Sequence, residues 1–249
     1  MKAFRALTWV EIKLFGREPL TVVFVLVLPV VVLYVLNGVF AGPADPSVWG
    51  GIPAVDFYTP SYVALVSATA GVLSLPVHLA GYREQGVLRR FRASAIPPST
   101  LVAAHMAVTV LVAAAGAVLL TAVSVLAYDA PLPHSWGGVL AGYLLLSTSF
   151  AALGAFLGFV MPTARTAQGL GVLLFFVFMM LGGAGPPKEV LPDALSRIGD
   201  AVPVTYAAQL LRDPWLDLGW HATPALVMAG LLVVSLLLTA WRLRADDAG

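Results

Sequence analysis

The chain has 249 residues, of which 59% are hydrophobic, 11% are charged and none are cysteine, with a formal net charge of +1. A soluble domain is about 45–50% apolar and about 25% charged, so a soluble enzyme, a disordered chain and a disulfide-stapled module are excluded. A nucleic-acid footprint needs clustered Lys and Arg that a balance near zero does not supply, and the lack of thiols removes thiolate metal sites. An all-α integral membrane protein is the class that remains.

Residues 2–18 come first. On a helical wheel Phe4, Leu7, Val10, Leu14 and Phe15 share one face and Lys2, Arg5, Lys13 and Arg17 gather on the other. That pattern predicts an interfacial amphipathic helix facing anionic headgroups. Glu11 and Glu18 fall in the apolar stripe and are expected to meet polar groups of the protein or a partner, and Pro19 turns the chain into the first span.

A hydrocarbon core of about 30 Å takes roughly 20 helical residues. Six runs meet that length, at 20–40, 59–80, 100–127, 138–161, 166–184 and 222–241, and none of the 14 Lys and Arg or 13 Asp and Glu residues falls inside them. The runs are continuous rather than alternating, which excludes barrel strands. The first is longer than a secretory signal core and reads as a permanent helix. Arg and Lys concentrate in the N-terminal segment, the second connection, the fourth connection and the C-terminus, with Lys188, Arg197 and Arg212 alone on the other side. The positive-inside rule then puts both termini in the cytoplasm.

Between spans 2 and 3 lies a cytoplasmic loop, 83–97. Drawn as a short helix, it puts Glu84, Val87, Leu88 and Phe91 on one ridge, with Arg89, Arg90 and Arg92 beside it. Such a ridge fits a groove on a partner protein, and it reads equally as a positive-inside anchor. In span 4, Ser147, Thr148 and Ser149 suit hydroxyl-to-carbonyl bonds one turn back, and Gly138/Gly142 and Gly154/Gly158 allow close helix approach. The segment 185–220 is too apolar for a hydrated loop and too charged to cross, so short re-entrant or interfacial helices are expected there, as an outer gate or a plain cap.

The spans hold no carboxylate to bind a coupling ion. His78 and His105 lie toward the cytoplasmic ends and are expected at headgroup level. No GxxxxGK[ST], HExxH or GxSxG pattern occurs, so no catalytic residue or metal site is expected in this chain. Work done on a cargo is expected to enter from outside the membrane, the alternative being a sodium site made of backbone carbonyls in a broken helix.

Three stretches carry a family likeness. They are Glu11, Lys13, Arg17 and Pro19 in the opening helix, Arg83-Glu84-Gln85-Gly86-Val87-Leu88-Arg89-Arg90, and Pro203-Val204-Thr205-Tyr206. With the six spans they resemble an ABC-2 type transporter permease of the drug- and lipid-exporter branch, over the whole chain. The resemblance implies one six-helix domain, 1–249, in the cytoplasmic (inner) membrane of a bacterium. It implies a pair of such subunits, as a homodimer, with two copies of a separately encoded cytoplasmic ABC ATPase that holds the ATP and Mg; this chain would bind no cofactor.

The resemblance further makes Glu84, Val87, Leu88, Arg89, Arg90, Phe91 and Arg92 the coupling helix to the ATPase, with Arg5, Glu11, Lys13 and Arg17 on the interfacial helix beside it. Gln85 and Val87 depart from the Glu-Gly-Thr-type pattern frequent there. Ser61, Tyr62, Ser67 and Thr69 of the second span and Phe175, Phe176, Met179 and Met180 of the fifth would line the path of an amphipathic drug, lipid or glycolipid leaving the cell. These residues also read as ordinary helix packing. A channel or facilitator, or a membrane scaffold without ATP coupling, is the alternative.

Overall fold

A computed structural model of the chain describes residues 23, 27–40, 51–87, 97–186 and 191–248. Among them every regular element is helical. Uninterrupted apolar runs leave the backbone no water to bond, so each run satisfies its own N–H and C=O groups as a helix. In chain order these are α1 (Leu28–Phe40), α2 (Ala54–Thr69), a π-helical turn (Ala70–Ser74), α3 (Leu75–Glu84), α4 (Pro98–Tyr128), α5 (Trp136–Val160), α6 (Ala164–Leu181), α7 (Asp193–Ala201), α8 (Pro203–Leu216) and α9 (Ala222–Ala248).

Five helices are long and apolar enough to cross a bilayer, over 54–84, 98–128, 136–160, 164–181 and 222–244. They correspond to the second to sixth expected spans, each shifted by a few residues at its ends. Of the first, 20–40, the described helix is the 13-residue α1. The expected interfacial helix, 2–18, lies outside the described residues.

The second span is longer than expected and is not one regular helix. Pro76 offers no N–H to the carbonyl of Val72, four residues earlier, and the helix widens into the π turn over Ala70–Ser74 before α3 resumes. This span is the axis of the bundle, with 89% of its most apolar stretch buried, against 22% for α6. Around it pack α1, α4, α5, α6 and α8. Leu126, Val118 and Leu226 on α4 and α9 stand 86%, 70% and 70% exposed, as lipid-facing side chains do.

Both glycine pairs of α5 turn inward. A Cβ on Gly138 would lie 2.7 Å from Pro214 Cβ and one on Gly142 would lie 3.1 Å from the Leu210 carbonyl, so the upper pair seats α8. The lower pair seats the axis: Gly154 lies against the Gly71 carbonyl, and Gly158 against Leu79. The hydroxyls of Ser147, Thr148 and Ser149 donate to the carbonyls of Tyr143, Leu144 and Leu145 at 2.7, 2.6 and 2.7 Å, and Ser149 also reaches the Met228 carbonyl on α9 at 2.9 Å.

Candidate functional site

At the end of the bundle bearing Arg83 and Arg165, α3 runs down beside the α5–α6 hairpin. Its last turn places two adjacent charges on one corner. The Arg83 Nη1 donates to the carbonyls of Phe159, Met161 and Gly158 at 2.7, 3.0 and 3.2 Å. The Glu84 carboxylate accepts the Ala164 N–H at 3.1 Å. The same helix start is capped by Thr163 and Thr166, each bonded to the other's backbone or side chain.

Glu84 closes α3. A turn follows at Gln85–Gly86, with Gly86 at φ 66°, a left-handed conformation that glycine adopts without a Cβ clash. The continuous helix drawn from Glu84 through Val87 to Phe91 is therefore broken after its first residue. Glu84 turns back onto its own chain rather than standing in line with Val87. Leu88, Arg89, Arg90, Phe91 and Arg92 lie outside the described residues, as do Arg5, Glu11, Lys13 and Arg17.

Within about two turns of that end, His105 is buried and His78 half-buried, with ring centroids 5.5 Å apart and Tyr82 at 5.3 Å from His105. His78 Nδ1 lies 2.8 Å from the Ser74 carbonyl. The two imidazoles face each other inside the bundle instead of pointing to headgroups, because α3 and α4 cross there. They line, with Ser74 and Thr109, a cavity of about 10 Å³. That volume holds about one water and no cargo.

The expected path residues separate into two groups. Ser61, Tyr62, Ser67 and Thr69 are all buried within this one chain, and the three hydroxyls of Ser61, Ser67 and Thr69 bond the carbonyls of Phe57, Val63 and Leu65. Phe175 joins Tyr62 in one buried apolar cluster. Phe176 and Met180 lie on the opposite face of α6, 47% and 40% exposed, and Met179 is partly buried.

The other end of the bundle is covered by the segment after α6. There the expected short helices are α7 and α8, broken at Val202, where Pro203 starts the second helix. The Thr205 hydroxyl bridges the break by donating to the Gly199 carbonyl at 2.7 Å. Val204, Ala207, Leu211 and Trp215 bury one face of α8 against α2, α5 and α9.

Its C-terminal carbonyls are taken by the α4–α5 connection: His134 N–H donates to Trp215 O and Ser135 N–H to Pro214 O, both at 3.0 Å, and Trp215 Nε1 donates to Pro131 O at 2.9 Å. These bonds satisfy helix-end groups that lipid could not.

Two side chains lock this cover onto the axis. The guanidinium of Arg212 lies 3.6 Å over the Phe57 ring, and its Nη2 donates to Ser61 Oγ at 2.8 Å. Tyr58 Oη donates to the Gly185 carbonyl at 2.9 Å, tying the segment after α6 to α2. Nearby, His221 Nδ1 stands 2.9 Å from the buried Asp213 carboxylate. Reading the sequence did not single out Arg212 or Tyr58. A charged pair, Arg212 and Asp213, inside a largely apolar helix was the available signal for the first; the second had none.

Among the described residues no group of three His, Cys, Asp or Glu could hold a metal ion. A family model for the ABC-2 type transporter matches residues 2–215. No curated protein gives a significant match.

Proposed function

The chain belongs to the ABC-2 type transporter family, and from that membership we propose that it is the permease subunit of an ATP-binding-cassette exporter. It is a multi-pass membrane protein of the family's non-catalytic, membrane-spanning kind, whose members typically work with an ATPase partner. In this reading two copies pair in a bacterial cytoplasmic membrane, termini inside, with two copies of a separately encoded ATPase holding ATP and Mg. Cargo is an amphipathic drug, lipid or glycolipid moved outward.

The match that runs through both the charge-free spans and the Arg-rich segment after Glu84 carries this reading. The apolar runs hold no carboxylate, Asp56 and Glu84 standing near the two ends of the second span. The runs therefore offer no acidic group within the hydrocarbon to bind a coupling ion, and the energy comes from a docked motor. Leu88, Arg89, Arg90, Phe91 and Arg92 form the docking surface for that motor, and Val87 leads into it. The exposed Phe176 and Met180 support a path along the joint between two copies, since flexible and aromatic side chains accept varied apolar cargo. The α7–α8 cover forms its outer gate.

The test is reconstitution in vesicles. The chain alone should hydrolyse no ATP and move a fluorescent phospholipid or an amphipathic dye in neither direction against a gradient; with its ATPase and ATP it should do so. Downhill flux by the chain alone would assign a channel instead. Uphill movement by the chain alone would overturn the reading.

A further inference from the structure

α3 is fastened to the α5–α6 hairpin along its whole length, and the fastening ends in a pair of opposite charges. A Cβ on Gly158 would lie 2.7 Å from Leu79 Cβ and 3.3 Å from Pro76 Cα, so the two helices touch backbone to side chain at those turns. One turn on, a Cβ on Gly81 would meet Ala164 at 3.7 Å. Then Arg83 takes three carbonyls at the end of α5, and Glu84 takes the first N–H of α6.

The signs fit the helix ends. The C-terminus of a helix carries unpaired carbonyls and partial negative charge, the N-terminus unpaired N–H groups and partial positive charge. Two neighbouring residues of α3 thus hold both sides of the Met161–Thr163 turn. Above them, the regular α-helix gives way to the π turn at Ala70–Ser74, a place where helical hydrogen bonding is already altered. Below them, the chain breaks at Gly86 and enters the Arg-rich segment.

We propose that Arg83 and Glu84 are positioning residues that make α3 and the α5–α6 hairpin move as one body when the segment after Gly86 is pushed, with the π turn as the place that yields. The docking role of the segment rests on the function proposed above; the fastening does not. Glu84 in this scheme acts within its own chain and not on the motor. A force on the loop therefore reaches the fourth and fifth expected spans directly, besides travelling up the central span.

The experiment has two arms. In the first, amide exchange is followed over residues 158–166 of the full chain in lipid nanodiscs. Glu84→Ala should speed exchange at Ala164 about tenfold, as loss of one hydrogen bond does, whereas Glu84→Gln, which keeps an acceptor oxygen, should leave it near wild type. Unchanged exchange in Glu84→Ala would overturn the fastening. In the second arm the chain, which has no cysteine of its own, carries a bimane label on Arg165→Cys and is assembled with its ATPase.

Addition of ATP should shift the label's emission in the wild type. The shift should be lost in Arg83→Ala and Glu84→Ala and return in Arg83→Lys and Glu84→Gln. An equal shift in all variants, or none in the wild-type complex, would overturn transmission. If no ATPase assembles with the chain, the proposed function falls and the first arm still decides the fastening.

Discussion

Gly71 in the π turn and Gly154 on α5 meet backbone to backbone. A methyl group on Gly154 would overlap the Gly71 carbonyl oxygen, and one on Gly71 would stand 2.5 Å from the carbonyl carbon and oxygen of Phe150. Neither neighbour can swing aside, since both are main chain. This contact holds the central span against α5 at the level where its helix is irregular.

Gly154→Ala should therefore lower stability by about 1–3 kcal/mol, the usual cost of forcing an extra carbon into a packed contact. Gly169→Ala on α6, where an added Cβ meets nothing within 4 Å, should leave stability unchanged or raise it by up to about 1 kcal/mol through helix propensity. Thermal unfolding of both variants in the same detergent checks the pair. Equal midpoints would show that the backbone approach is not tight.

Tyr58→Phe removes the bond to the Gly185 carbonyl and keeps the ring. The expected loss is about 1 kcal/mol, and it should appear locally. Exchange over residues 182–186 should rise while exchange within α4 stays the same.

Arg212 and Phe57 should be energetically coupled. A guanidinium stacked 3.6 Å over an aromatic ring in a partly water-excluded place is worth about 1–2 kcal/mol. A double-mutant cycle with Arg212→Gln and Phe57→Leu should return a coupling of that size, and Arg212→Lys should recover less than half, because an ammonium lacks the flat face that stacks. Additive single effects would remove the stacking from the account.

In the Arg-rich segment, charge reversal at Arg89 and Arg90, or Phe91→Asp, should reduce co-purification of the ATPase at least about tenfold, the effect of losing about 1.4 kcal/mol of binding. Membrane insertion should be unchanged, because spans of this length insert by their apolar content. A pull-down against a tagged ATPase, with membrane fractionation as the control, measures both.

Much of the candidate site was readable only in outline. The charged corner at 83–84 was visible as part of a basic loop, but its use was not. Helical periodicity carried Glu84 into the next helix, whereas Gly86 ends that helix and sends the carboxylate to the Ala164 N–H. The partner of a helix cap eighty residues away leaves no local pattern. The serine cluster of α5 and the glycine pairs were legible in kind, because hydroxyls in lipid bond the turn behind them and small residues admit a neighbour. Which neighbour they admit, α8 for one pair and the central span for the other, was not.

The sequence by itself determined that the chain crosses a membrane as helices and close to where five of the expected spans run, because an unbroken apolar stretch has no other way to satisfy its backbone in lipid. The tertiary structure alone decided which helix stands in the middle. The central span and α6 have nearly the same mean hydropathy, 1.8 and 1.7, yet 89% and 22% of their apolar stretches are buried. Lipid tails and protein interior are about equally apolar, so hydropathy does not distinguish them. Glycine contacts, Arg83 and Glu84 on the α5–α6 turn, and Arg212 and Tyr58 on the cover set that order through close packing and paired polar groups.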